Sequence, residues 1–103
     1  MPRQCKTIRA DRGMSSTRQS YDHVHAKKNQ ARMTATAKID AGRGDYDVFI
    51  RYRNPRGTWS TAEISGNQSV RADISERLNF IPVVEVINKT DENIRVRVCL
   101  DFN

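Results

Sequence analysis

The stretch Asp22-His23-Val24-His25 places two imidazoles two residues apart. In an extended strand both rings lie on one side, as metal ligands would. A tetrahedral centre needs further ligands at matching distance, and none follows, so the two histidines read as solvated side chains. Nucleophilic chemistry has no better footing. Neither Cys5 nor Cys99 has a histidine close in sequence, no serine sits in a Gly-x-Ser-x-Gly elbow, and the adjacent Asp22 and His23 do not form a triad. Asp45 and Asp47 point the same way from one strand and read as a surface pair. The expectation is a non-enzymatic protein with no catalytic residues, no metal, no cofactor and no small-molecule substrate. With no metal-ligand spacing and too few cysteines for a disulfide framework, Cys5 and Cys99 are expected to be free thiols.

Binding chemistry is better represented. Of the +6 net charge, all lies in residues 1–32, where Arg3, Lys6, Arg9, Arg12, Arg18, Lys27, Lys28 and Arg32 face only Asp11 and Asp22; the other 71 residues hold ten basic and ten acidic side chains. Such a segment is suited to phosphates of nucleic acid or to an acidic protein surface. A second candidate is an aromatic and basic cluster, Phe49, Arg51, Arg53 and Trp59, whose residue types are those of interface anchors and base-stacking platforms. Arg43-Gly44-Asp45 matches an adhesion tripeptide, but Gly42 and Gly44 are already explained by a turn. Asn67-Gln68-Ser69 and Asn88-Lys89-Thr90 fit the glycosylation sequon, which operates only in the secretory pathway.

The elements that must carry these residues divide the chain. Residues 1–32 are polar, with only scattered Ile8, Met14, Tyr21 and Val24 to bury, which is too little to offset the entropy of ordering. They are expected to form a largely irregular basic arm, with a short helix from Ser16 as one alternative, because Gln19 stands in capping-box spacing.

From Met33 onward apolar residues recur with period two, the pattern of half-buried strands. Met33, Ala35, Ala37 and Ile39 alternate with Thr34, Thr36, Lys38 and Asp40; Tyr46, Val48, Ile50 and Tyr52 follow. A Gly42-Arg43 turn predicts a hairpin that pairs Ile39 with Tyr46 and Ala37 with Val48. In "RYRNPRGTW" a three-residue loop, with Pro55 in the first turn position and Gly57 as a left-handed bulge, pairs Ile50 with Ala62 and Val48 with Ile64. That spacing sets Trp59 opposite Arg53 on the outer face, beside Phe49 and Arg51.

Val70, Ala72 and Ile74 mark another strand. "IPVVEVI" is apolar on both faces, as an interior strand would be. Ile94, Val96, Val98, Leu100 and Phe102 make the last strand amphipathic, and a hairpin through 88–93 would bring Glu85 near Arg97. The whole is an all-β fold, a small antiparallel β-sandwich or small barrel of about six to seven strands over 33–103, with the basic arm over 1–32.

No apolar run approaches the roughly 18 residues needed to span a bilayer, and the N-terminus has no apolar signal core. A cytoplasmic or virion-associated location, and no membrane partner, are therefore expected. The function expected is binding or assembly: the arm meets nucleic acid or another anionic partner while the sandwich self-associates into a homo-oligomer. The alternative is a small monomeric inhibitor or adaptor that grips one protein through the Trp59 face.

Overall fold

The structure, a computed structural model, describes residues 3–21, 31–53, 59–66, 69–78 and 82–102. Eight strands follow one another: β1 (Arg3–Ala10), β2 (Gln19–Ser20), β3 (Ala31–Ala41), β4 (Tyr46–Arg53), β5 (Trp59–Gly66), β6 (Ser69–Leu78), β7 (Val83–Asn88) and β8 (Ile94–Phe102). They form two four-stranded antiparallel sheets, sheet A in the order β1-β8-β3-β6 and sheet B in the order β2-β7-β4-β5. With every connection except β4–β5 crossing between sheets, this is the strand order of a jelly roll, an eight-stranded double Greek key.

The period-two pattern is realised as expected. From sheet A, Ile8, Met33, Ala35, Ala37, Ile94, Val96, Val98 and Leu100 are buried; from sheet B, Tyr46, Val48, Ile50, Tyr52, Val84 and Val86 meet them. The β4–β5 register is the expected one: Ile50 pairs with Ala62, Val48 with Ile64 and Arg53 with Trp59. The loop that sets it, with Pro55 and Gly57, lies outside the described residues. β7 is an interior strand, between β2 and β4, with Pro82 just before its start.

Two expected hairpins do not form. β3 pairs with β6 and β8 in sheet A, whereas β4 lies in sheet B, so Ile39 and Tyr46 are not cross-strand partners. Likewise β7 and β8 belong to opposite sheets, and Glu85 pairs with Phe49 instead of approaching Arg97. The physical reason is common to both: alternation says which side of a strand is apolar, and two strands on opposite sheets turn apolar sides to the same interior. The segment after β3 is a corner. Gly42 and Gly44 have φ of 91° and 112°, and a Cβ on Gly44 would collide with the Thr90 side chain.

Over residues 3–21 the expected irregular arm is instead part of the sandwich; its residues 1–2 and 22–30 lie outside the described residues. Arg3–Ala10 pair along their whole length with β8, and Ile8 and Ala10 are buried. The chain then turns at Gly13 and crosses to sheet B, where it runs along β7: the Ser16 N–H donates to Val86 O at 2.7 Å and the Tyr21 N–H to Pro82 O at 2.9 Å. Ser16 does not cap a helix; its Oγ accepts the Val86 N–H instead. Tyr21 is fully buried, and its hydroxyl donates to Val98 O on the opposite sheet at 2.7 Å. Few apolar residues suffice here because the leader borrows a finished core and builds none of its own.

The cysteines are not free. Cys5 and Cys99 stand opposite each other in the β1–β8 ladder and form a disulfide across a sequence separation of 94. Among the described residues, no helix is long and apolar enough to cross a membrane.

Candidate polyanion-binding face

On the three strands of sheet A whose side chains are described, β1, β3 and β8, alternation sends one set of side chains outward. These are Arg3, Cys5, Thr7 and Arg9 from β1, Arg95, Arg97, Cys99 and Asp101 from β8, and Thr34, Thr36, Lys38 and Asp40 from β3. The ladder fixes which of them are neighbours. Arg3 lies opposite Asp101 and pairs with it at 3.7 Å. One row further along is the disulfide, then Thr7 opposite Arg97, then Arg9 opposite Arg95; on the far side of β8, Lys38 lies opposite Arg97.

Two of these cross-strand pairs, Arg9 with Arg95 and Lys38 with Arg97, therefore set like charges side by side. All four side chains are exposed. At about 5 Å in water such a pair repels by roughly 0.8 kcal/mol, and like charges directly opposite are ordinarily avoided in sheets. Of the four, only Arg9 has a carboxylate partner among the described ion pairs, Asp11 at 3.3 Å. Arg9 also borders an open cleft of about 570 Å³ at the end of the sandwich, whose wall includes Arg12, Asp91 and Asn93; the Arg12 N–H donates to Asn93 Oδ1 at 3.0 Å.

The leader's basic residues are thus dispersed. Arg3 and Arg9 are on the outer face of sheet A, and Arg12 is exposed at the corner. Arg18 lies at the edge of sheet B, 3.6 Å from Glu85. Lys6 points toward the interior side, where its Nζ donates to Ser20 O at 2.8 Å and stands 5.6 Å from the Tyr21 ring centre. Arg32 lies within β3, its side chain outside the described part of the molecule, and Lys27, Lys28, His23 and His25 lie outside the described residues.

On sheet B, Phe49 is half-buried next to Glu85, and Arg51 is exposed between Val83 and Thr61. Arg53 and Trp59 are paired in the ladder; what their side chains touch is outside the described part. Among the described residues no group of three His, Cys, Asp or Glu side chains is placed to hold a metal.

Arg95, Arg97 and Lys38 complete a face that sequence reasoning assigned to the leader. Their outward positions were legible from the alternation, but their alignment with Arg9 depends on β1 pairing with β8. The available signal was the pair of cysteines: placed opposite each other, Cys5 and Cys99 bring Arg9 level with Arg95.

Two sequence motifs are consumed by the fold. The Asn88 side chain is buried, with Nδ2 donating to Ala10 O and Glu92 O at 3.0 and 2.8 Å, so the amide of that sequon is committed to holding β1, β7 and the turn after it together. In Arg43-Gly44-Asp45, Gly44 is the residue that fits against Thr90, and the Arg43 N–H donates to Glu92 Oε1.

The fold has a counterpart among solved structures. It is similar to that described as "Crystal structure of PirA", with a TM-score of 0.51 and 12% sequence identity, covering 98% of this chain and 93% of that one. At that identity the likeness concerns the fold. No family model and no curated protein matches the sequence.

Proposed function

We propose that this protein is a non-enzymatic binding module that recognises a polyanion through the outer face of sheet A, with Arg9, Arg95, Arg97 and Lys38 as the principal contacts and Arg3 at the margin. The supporting observation is the placement of like charges directly opposite each other on an exposed sheet, Arg9 with Arg95 and Lys38 with Arg97. An anionic group between each pair replaces repulsion with two charge-assisted contacts, so a local cost in the free protein becomes a gain on binding.

The test is salt-dependent binding to a polyanion. Four cations give log Kd a dependence on log salt with a slope of magnitude roughly 3.6 for duplex DNA, at about 0.9 per contact. Replacing Arg95 and Arg97 together with Gln lowers that magnitude by roughly 1.8 and weakens binding uniformly across base sequences. Binding that keeps its affinity and slope in the double variant places the contact elsewhere, and sheet B with Phe49 and Trp59 becomes the next surface to test. Truncation of residues 1–32 is unsuitable for this purpose, because it removes β1 and the buried Tyr21 along with the charges. Sedimentation of the same samples tests assembly: a concentration-dependent oligomer supports the sandwich as a self-association module, and a monomer restricts it to binding.

A further inference from the structure

Which polyanion fits this face follows from three of its properties, given the polyanion-binding role proposed above. The first is the absence of any aromatic side chain among the outward residues of β1, β3 and β8, which are Arg, Lys, Thr, Cys and Asp throughout. Proteins that hold single strands of nucleic acid combine charge with aromatic platforms for the bases. Duplex reading in turn uses a helix or ribbon that enters a groove about 12 Å wide, whereas the four cations here are spread over one sheet face, Arg9 on the edge strand β1 and the other three on the inner strands β8 and β3. The second is the disulfide between Cys5 and Cys99, one row from Arg97 on the same face. Cross-links of this kind belong to oxidising compartments and are rare in the cytosol and nucleus, so the face in its cross-linked form is matched to polyanions found outside the cell's reducing interior. The third is the set of hydroxyls among the cations. Thr7 lies opposite Arg97, and Thr36 next to Lys38 in the outward row of β3.

We infer that the face binds a sulfated polysaccharide, with the guanidinium groups of Arg9, Arg95 and Arg97 and the ammonium of Lys38 on sulfates and the threonine hydroxyls on sugar hydroxyls. Guanidinium forks engage planar sets of oxygens in pairs and are less strongly hydrated than ammonium, which suits sulfate. The run of four cations descends diagonally across three strands. Strand spacing and rise give it a length of roughly 12 Å, the reach of a short oligosaccharide.

The experiment is a competition without reductant. The labelled probe is a heparin-derived hexasaccharide; the competitors are its desulfated form, duplex DNA and single-stranded RNA, matched in anionic groups where they have them. The expected result is binding of the sulfated probe, no displacement by the desulfated sugar, and displacement by nucleic acid only at about tenfold or more higher anion concentration, with the Arg95→Gln/Arg97→Gln variant weakened by about tenfold or more. Near-ultraviolet circular dichroism of that variant checks that the core is intact. Displacement by DNA or RNA at equal concentration overturns the polysaccharide assignment and leaves the polyanion face standing. Equal displacement by the desulfated sugar overturns the role of sulfate. Failure of every polyanion to bind overturns the reading of the face itself.

Discussion

Tyr21 is the residue that turns a basic leader into part of the core. Its ring fills the interior between the sheets, and its hydroxyl reaches across to Val98 O at 2.7 Å. Burial pushes its phenol well above the usual tyrosine range, with a hydrogen bond from the Lys6 backbone opposing in part, and burial raises Tyr46 in the same direction. A phenol whose folded pKa lies above its unfolded value of about 10 contributes its full stability below that pH, and the contribution is lost as pH rises beyond it. Alkaline destabilisation should therefore begin near pH 10. Tyr21→Phe removes the cross-sheet hydrogen bond to Val98 O, at a cost of about 0.5–1.5 kcal/mol at neutral pH, and it flattens the alkaline decline because one of the two raised phenols is gone. Urea denaturation at neutral and alkaline pH checks both; an equally steep decline in the variant would assign the effect to other groups. The sequence marked Tyr21 only as one of a few apolar residues in a polar stretch. Nothing in its neighbours announces that a core built by distant strands has a space for it.

Strand β1 has two halves held by different means. Ile8 and Ala10 are buried, and Asn88 Nδ2 donates to Ala10 O, so the second half is anchored by packing. In the first half the inward positions are Gln4 and Lys6; Gln4 Oε1 is buried with no hydrogen-bond partner among the described residues. That half rests on its ladder with β8, the Lys6 to Ser20 contact and the Cys5–Cys99 bond. Reduction should release protection of the amides over residues 4–7 while those over 8–10 stay protected, as read by hydrogen exchange. The chain-entropy model assigns a cross-link closing a loop this long about 4–5 kcal/mol, so reduction also lowers the denaturation midpoint. Uniform loss of protection along β1 would mean that the two halves open as one unit. This strand also marks the limit of what the alternation conveys. β3, β4 and β8 were legible because at least four apolar residues recur on one side of each, and the β4–β5 register because "NPRG" restricts the loop. The assignment of β3 and β4, or of β7 and β8, to different sheets was not legible, since facing strands and paired strands present the same pattern of side chains. The leader strands, with two buried apolar residues in eight, fall below the level at which a period of two can be read.

For the whole molecule, the question is whether attraction or repulsion dominates among its charges at +6. The described ion pairs are Arg3–Asp101, Arg9–Asp11, Arg18–Glu85 and Lys89–Asp47, at 3.7, 3.3, 3.6 and 2.7 Å. Three have an arginine side chain more than half exposed and so contribute at most about 1 kcal/mol each; the fourth involves a carboxylate that is only 7% exposed and is screened less by salt. Against them stand two like-charged cross-strand pairs and the surplus positive charge of the whole chain. Sodium chloride at about 0.15 M shortens the screening length to about 8 Å, which weakens the long-range repulsion of the surplus more than the close ion pairs. The thermal midpoint should therefore rise from low salt to about 0.15 M, and rise less in the Arg95→Gln/Arg97→Gln variant, which removes one member of each repelling pair. A bound polyanion acts on the same term and adds mass action, so a sulfated oligosaccharide at about 100 times its Kd stabilises the protein by about 2.7 kcal/mol. If salt instead lowered the midpoint, the close pairs would dominate, and the opposed cations of sheet A would be too weakly coupled to favour an anion between them.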